Sequence, residues 1–266
     1  MGAHDYFEVT NDILAKDISI QWKAFDKVPM AEERLPFTVR VVQTEADLWK
    51  AVQIRQAAYG RHVPEFAQLL KVPESCDREK GSVVLLAESK LDGSPLGSLR
   101  LQSNRYGKLG IEQSVELPEW LKYCSLAEGT RLGVTEGRIG RVVKAALIKA
   151  FYLYCLESDI DWIVITARRP LDRQYEAFLY QDVYPGGEFI PMRHIGNIPH
   201  RVMAFEVKSG EARWAEADHP LFDFMCRTRH PDIEVNGEDF KLPNNRMRQP
   251  QFSNRIGTRQ YALGIK

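Results

Sequence analysis

The chain has 266 residues, 44% hydrophobic and 27% charged, the make-up of an ordinary soluble globular protein with one large domain, or one domain and an appendage. Its 36 basic side chains balance 36 acidic ones, so no overall field marks it for nucleic acid or a membrane surface, and apolar runs such as 83–87 and 163–167 are far too short to span a bilayer. The acidic start, MGAHDYFEVTND, has no apolar stretch and does not read as a secretory signal; Cys76, Cys124, Cys155 and Cys226 lack CxxC spacing and read as reduced thiols of a cytoplasmic protein, and the six histidines show no metal-ligand spacing, so no metal is expected.

Residues 1–36 carry Val28-Pro29, Glu32, Glu33 and Leu35-Pro36 and are expected to form an extended N-terminal arm ending at a proline. Residues 37–42 (FTVRVV) alternate as a strand does. Thr44 is a good helix N-cap, because its hydroxyl accepts from a free backbone N–H, and Glu45 and Asp47 suit the positive end of the helix that follows. That helix carries Leu48, Val52, Ile54, Ala58 and Tyr59, with Arg55 among them, and stops near Gly60. A short helical piece, 64–70, precedes a charged, proline-containing loop, 71–80, which holds Asp77-Arg78. Residues 82–89 (SVVLLAES) read as a buried strand and Leu91-Asp92-Gly93 as a hairpin turn, since Asp-Gly tolerates the positive φ such turns need. The returning strand, 95–102 (PLGSLRLQ), sets Arg100 among leucines. Residues 103–125 are a long excursion with one amphipathic piece, 117–123.

Residues 126–156 organise the rest. The first nine read as a strand and Thr135-Glu136-Gly137 as a turn. From about Ile139 the spacing becomes helical: Ile139, Val143, Ala146, Leu147, Ala150 and Tyr154 share a stripe, with Arg138, Arg141, Lys144 and Lys149 off it. The first N–H groups of a helix lack internal partners and sit at the positive end of its dipole, so a strand, a glycine turn and a basic first helical turn make a device for holding pyrophosphate or phosphopantetheine. Residues 161–167 (DWIVITA) are another buried strand. Pro170 opens a helix carrying Leu171, Tyr175, Phe178, Leu179 and Tyr180, which Pro185-Gly186-Gly187 ends. Residues 189–190 and 202–207 are the last strands, joined by a loop.

Beyond Ser209 the segment 219–232 is aromatic and then basic, and the residues past Lys241 hold Arg246, Arg248, Arg255, Arg259 and Lys266 but no acid. This part reads as a solvated appendage with one anchoring helix; without base-stacking aromatics among its cations, nucleic acid is not expected as a partner. The chain thus divides into an arm (1–36), a central domain (37–208) and a C-terminal extension with a basic tail (209–266).

The element order, β–α–α–β–β–β–α–β–α–β–β, resembles the GNAT acyltransferases: an α/β (α+β) fold with a mixed, mostly antiparallel sheet flanked by helices. In that family the fourth strand and third helix bracket the acyl thioester. The turn pattern departs from the family's Gln/Arg-x-x-Gly-x-Gly/Ala, since here Glu136-Gly137-Arg138-Ile139-Gly140-Arg141 stands in its place. Arg100 on the third strand, Glu128-Gly129-Thr130-Arg131 on the fourth and the stretch Phe222–Asp232 resemble a narrower branch, the N-acyl amino acid synthases and acyl-homoserine-lactone (autoinducer) synthases.

The resemblance implies an N-acyltransferase that moves a fatty acyl group from acyl-carrier protein or acyl-coenzyme A to the amine of an amino acid, with no tightly bound cofactor. Its alternatives are an autoinducer synthase, an ordinary acetyltransferase and a catalytically silent GNAT-like module. Glu128 is the expected base for the amine. Arg131 is three residues on and, on a regular strand, faces the other way; both serve one site only if a bulge intervenes, which Gly129 or Gly133 permits. Tyr180 resembles the tyrosine that protonates the leaving thiolate. Leu132, Val134, Gly137, Arg138, Ile139, Gly140 and Arg141 would meet the pantetheine arm, and Arg138, Arg141 and Lys144 would also face an acidic carrier protein. Arg55, Asp77 and Arg100 are candidates for the amino-acid substrate; each also has a structural reading, Arg55 as a solvated helix residue and Arg100 as the ion-pair partner of Glu128 or Asp77. The central expectation is that the fourth and fifth strands part into a V just after Val134.

Overall fold

The computed structural model describes residues 30–235; the arm up to residue 29 and the basic tail from residue 236 lie outside the described residues. Two strands open the described chain, β1 (Ala31–Glu32) and β2 (Phe37–Val41). Helix α1 (Glu45–Gly60) starts where expected: Thr44 is extended, and its hydroxyl accepts from the Asp47 N–H at 3.2 Å. Helix α2 (Pro64–Leu69) begins on its proline. Strands β3 (Ser82–Ser89) and β4 (Pro95–Ser103) form a hairpin whose turn uses Gly93 at φ 69°. The excursion that follows contains a 3₁₀ turn, Gly110–Gln113, and the one-turn helix α3 (Glu119–Lys122). Strand β5 (Leu126–Val134) leads into helix α4 (Gly137–Glu157), which is followed by β6 (Trp162–Ala167).

The next helix is shorter than its apolar pattern suggests. α5 spans only Asp172–Ala177. Leu179 takes φ 65°, a left-handed backbone that stops a helix, and the freed carbonyls of Phe178 and Leu179 accept from Trp214 Nε1 (3.2 Å) and Arg213 Nη2 (2.6 Å). Tyr180 therefore lies beyond the helix, next to β7 (Gln181–Asp182). β8 (Ile190–Met192), a 3₁₀ turn at Arg193–Ile195 and β9 (Ile198–Glu206) follow.

The described part of the extension packs onto the sheet. Helix α6 (Gly210–Glu216) buries Trp214, a π turn at Asp223–Arg227 buries Met225, β10 (Thr228–Arg229) pairs with β1, and β11 (Ile233–Glu234) pairs with β2 inside the main sheet. Lys149, off the apolar stripe in sequence, is buried here. Its Nζ donates to the carbonyls of Phe224 (2.7 Å) and Thr228 and lies 2.9 Å from His230 Nδ1. A buried ammonium needs such acceptors.

The strand order of the main sheet is β11-β2-β3-β4-β5-β6-β9-β7, with β8 on β9. Its pairs are antiparallel except β11–β2 and β5–β6. One face is covered by α4: side chains at Gly97 and Gly129 would run into Val143 and Phe151. The other face holds an apolar cluster that includes Phe66, Ile111, Leu121, Met192 and Ile195.

Candidate active site

Two irregularities in β5 build the site. The first is where its pairing ends. β5 and β6 pair in parallel from Leu126↔Trp162 to Gly129↔Ile165 and no further, while β6 stays paired with β9 as far as Ala167↔Arg201. The two strands therefore part inside β5, after Gly129, five residues before the expected point. From Thr130 to Val134 the β6-facing edge of β5 has no ladder, so its outward N–H groups are available to a ligand.

The second is a bulge. Against β4, Ser98 pairs with Gly133 and Arg100 with Thr130, so Arg131 and Leu132 oppose Leu99 alone. The strained residue is neither flanking glycine: Arg131 itself takes φ 57°. What holds it there is its side chain, which makes a two-bond fork to Glu74 (2.7 Å each) and donates to the His194 carbonyl at 3.1 Å. The extra residue turns Arg131 to the face that also carries Glu128, so the two share a side of the sheet.

Between the parted strands lies a cavity of about 230 Å³. Tyr59, Val63 and Phe66 line it on one side of the sheet, Ile148 and Tyr175 on the other, and the freed edge 129–134 runs through it. Arg61, His62, Arg131, Lys144, Arg168 and His200 also line it, and no carboxylate does. A concave, mostly apolar space with convergent cations fits a ligand that has an apolar part and an anionic or carbonyl part.

The residues singled out from the sequence fall into three groups. Arg131, Leu132 and Val134 line the cavity. The start of α4 lies about two turns before another lining residue, Lys144. There Gly137 has φ 78°, and a side chain at Gly140 would collide with the Thr135 carbonyl oxygen, so both glycines are needed for this tight entry. Arg138, Ile139 and Arg141 are exposed around it, and Glu136 is paired with Arg61 at 3.3 Å.

The second group is a buried ion cluster outside the cavity wall. Arg55 does not sit on a solvated face: it is 1% exposed, and Nη1 donates to Asp77 Oδ1 at 2.7 Å. Arg100 Nη1 reaches the same oxygen at 3.2 Å and Glu74 at 3.0 Å, while its Nε donates to Thr130. Asp77, not Glu128, is thus the shared partner of these arginines. Burial works to raise the Glu74 carboxyl, but the Arg131 fork, with Arg100 and Arg55 near, holds it down to about 2.

The third group sits behind the wall. Glu128 is fully buried; Oε2 accepts from the Ile111 N–H at 3.2 Å, and Oε1 lies 3.4 Å from His194 Nε2. Burial pushes its carboxyl up to about 7, against the Ile111 amide and Arg100, and burial with Arg131 nearby pushes His194 down to about 4. Tyr180 packs against Phe205 and Tyr175, with ring centroids 5.2 and 5.4 Å away. Burial raises its phenol well above the usual value. The tyrosines that line the cavity are Tyr59 and Tyr175.

Sequence reasoning did not find His200. It lies in β9, lines the cavity, and places Nδ1 2.8 Å from the Ile198 carbonyl oxygen. No local pattern marks it; the strand pairing of β6 with β9 brings it there. Among the described residues no group of histidine, cysteine, aspartate and glutamate is arranged to hold a metal, and no helix is long and apolar enough to cross a membrane.

The opened parallel strand pair, the bulged strand ahead of it and the glycine-bound helix start sit in a mixed, mostly antiparallel sheet flanked by helices, a GNAT-like fold. Within that fold, the chain is similar to FeeM, an N-acyl amino acid synthase from uncultured soil microbes (TM-score 0.56, 16% identity, over 68% of this chain and 96% of that one). It is also similar to BjaI, a coenzyme A-dependent acyl-homoserine lactone synthase (TM-score 0.52, 13% identity, over 76% and 94%). At these identities the likeness is one of fold. No protein-family model matches the chain, and no curated protein matches it.

Proposed function

We propose that the protein is an N-acyltransferase that moves an acyl group from a thioester, acyl-coenzyme A or acyl-carrier protein, to the amino group of an amino acid. The observation that carries this reading is the parting of β5 and β6 after Gly129 into an apolar cavity rimmed by cations. The thioester carbonyl would lie along the freed edge 130–134, where backbone N–H groups stabilise the oxygen as it becomes negative. The phosphates of the carrier arm would meet the N–H groups of Gly137, Arg138 and Ile139, helped by the exposed Arg138 and Arg141. An amino-acid acceptor is favoured by charge: the cavity has Lys144 and Arg168 but no carboxylate, which suits a substrate carboxylate. Exposed Arg138 and Arg141, with exposed Ile139 and Val142 beside them, suit docking of an acidic carrier protein.

Purified protein incubated with acyl-carrier protein or acyl-coenzyme A of several chain lengths and a mixture of amino acids should give N-acyl amino acids by mass spectrometry. No product with any acyl donor would remove the assignment and favour a catalytically silent module. Lactones that require S-adenosylmethionine would replace it with an autoinducer synthase.

A further inference from the structure

Two histidines line the cavity, His62, which is exposed, and His200, which is buried; Glu128 does not line it. Glu128 and His194 face each other behind the wall, and Glu128 Oε1 and both ring nitrogens of His194 are buried and unpartnered among the described residues. A proton released in the cavity has no route to them through the described hydrogen bonds.

His200 is placed differently. Its Nδ1 sits 2.8 Å from the Ile198 carbonyl oxygen. A carbonyl only accepts, so the ring proton is on Nδ1 and the lone pair is on Nε2. No hydrogen-bond partner is found for Nε2 among the described residues, and His200 lines the cavity. Across that cavity run the freed edge of β5 and the cations Arg131 and Arg168.

We propose that His200 is the catalytic base of this site. The deprotonated amine attacks the thioester carbonyl carbon; the C–N bond forms, and the amine proton passes to His200 Nε2. The C–S bond then breaks, and the imidazolium returns the proton to the departing thiolate, leaving amide, thiol and neutral histidine. One group thus serves both proton transfers, and Tyr180 is not needed. The role rests on the acyltransfer reading above.

Burial, opposed by the Ile198 carbonyl and helped by Arg168 and Arg131, lowers the His200 pKa below its ordinary value. The groups facing it are Arg168 beyond β6, Arg131 on β5 and His194 on the preceding turn; the cavity lining adds no acid. His200 is therefore neutral, and competent as a base, at pH 7.

The test is kcat/KM against pH for the wild type, His200→Gln and Glu128→Gln, with acyl-coenzyme A binding measured separately. Wild-type kcat/KM should show, besides the fall set by deprotonation of the acceptor amine and common to all variants, an acid limb below the ordinary imidazole value of about 6.5. His200→Gln should lose about 10²–10⁴-fold in kcat/KM and lose that limb, with donor affinity kept. A limb near the Glu128 value, about 7, that survives in His200→Gln and vanishes in Glu128→Gln would overturn the proposal. So would a wild-type profile with no acid limb, which needs no variant and so holds even if His200→Gln fails to fold. A wild type that forms no acyl product from any thioester removes the acyltransfer reading itself, whereas a wild type that turns over beside an equally active His200→Gln removes only His200.

Discussion

Arg131 grips Glu74 with two parallel hydrogen bonds of 2.7 Å while its own backbone sits at φ 57°. A left-handed arginine is strained by about 1–3 kcal/mol, and this fork is what outweighs the strain. The pair ties the bulge of β5 to the loop 71–80, and through it the cavity edge to the buried ion cluster.

Acid titration should expose this tie. The Glu74 carboxyl is held at about 2 in the folded protein, against an ordinary 4.5. A carboxylate with a lowered folded pKa stabilises fully above its unfolded value and loses that stabilisation as pH falls towards the folded one. The contribution is on the order of 3 kcal/mol, present above pH 4.5 and lost towards pH 2. Glu74→Gln should therefore narrow the gap in urea midpoint between neutral and acid pH. An unchanged pH dependence would show that other carboxylates carry the acid lability.

Breaking the Arg55–Asp77 pair should cost far more than an ordinary surface change. Both side chains are almost fully buried, at 1% and 0% exposure, and 2.7 Å apart. Asp77→Asn leaves Arg55 and Arg100 sharing a neutral partner and should destabilise by about 3–5 kcal/mol. Replacing the pair together, Arg55→Met with Asp77→Leu, should recover a large part of the loss. If either single variant keeps full stability but raises the amino-acid KM, these residues bind substrate instead.

The entry to α4 should tolerate no side chain at Gly140. A Cβ there meets the Thr135 carbonyl oxygen, so Gly140→Ala must push the turn away from the helix, at about 1–3 kcal/mol. Both Tm and acyl-coenzyme A affinity should fall. A variant with wild-type donor binding would place the phosphates elsewhere.

Lys149→Met should loosen the last described segment. The change removes the donor shared by the Phe224 and Thr228 carbonyls, and hydrogen bonds to a charged group are worth roughly 1.5–3 kcal/mol each. Limited proteolysis should cut between α6 and β11 sooner than in the wild type. Equal cutting rates would assign the anchoring to Trp214 and Met225, buried in the same stretch.

Much of this fold was legible along the chain. Thr44 caps α1, Asp92-Gly93 turns the β3–β4 hairpin, and 126–134 runs as a strand into a glycine turn and a helix, as their patterns predict. These signals are local: a cap, a turn or an alternation acts over two to nine residues. The site was only partly legible. Leu132 and Val134 belong to the cavity, but Tyr180 was placed on a helix that Leu179 ends early, because an apolar repeat does not show where capped carbonyls will stop it. Arg55 has a reading as a solvated helix residue because charge on a helix usually is, and Lys149 falls off the apolar stripe; their buried partners, Asp77 and the carbonyls of 224 and 228, lie 22 to 79 residues away.

By itself the sequence determined the order and kind of the central elements from β2 to β6, since side-chain period and turn chemistry are properties of short stretches; β10 and β11, in a stretch that reads as a solvated appendage, are placed by pairing with β1 and β2. Which groups face the cavity was decided by tertiary structure alone. Pairing between distant strands ends at Gly129 and brings His200 alongside, and the Glu74 fork selects Arg131 for the strained backbone. Each is a balance between contacts distant in sequence, so no window of the chain contains both of its sides.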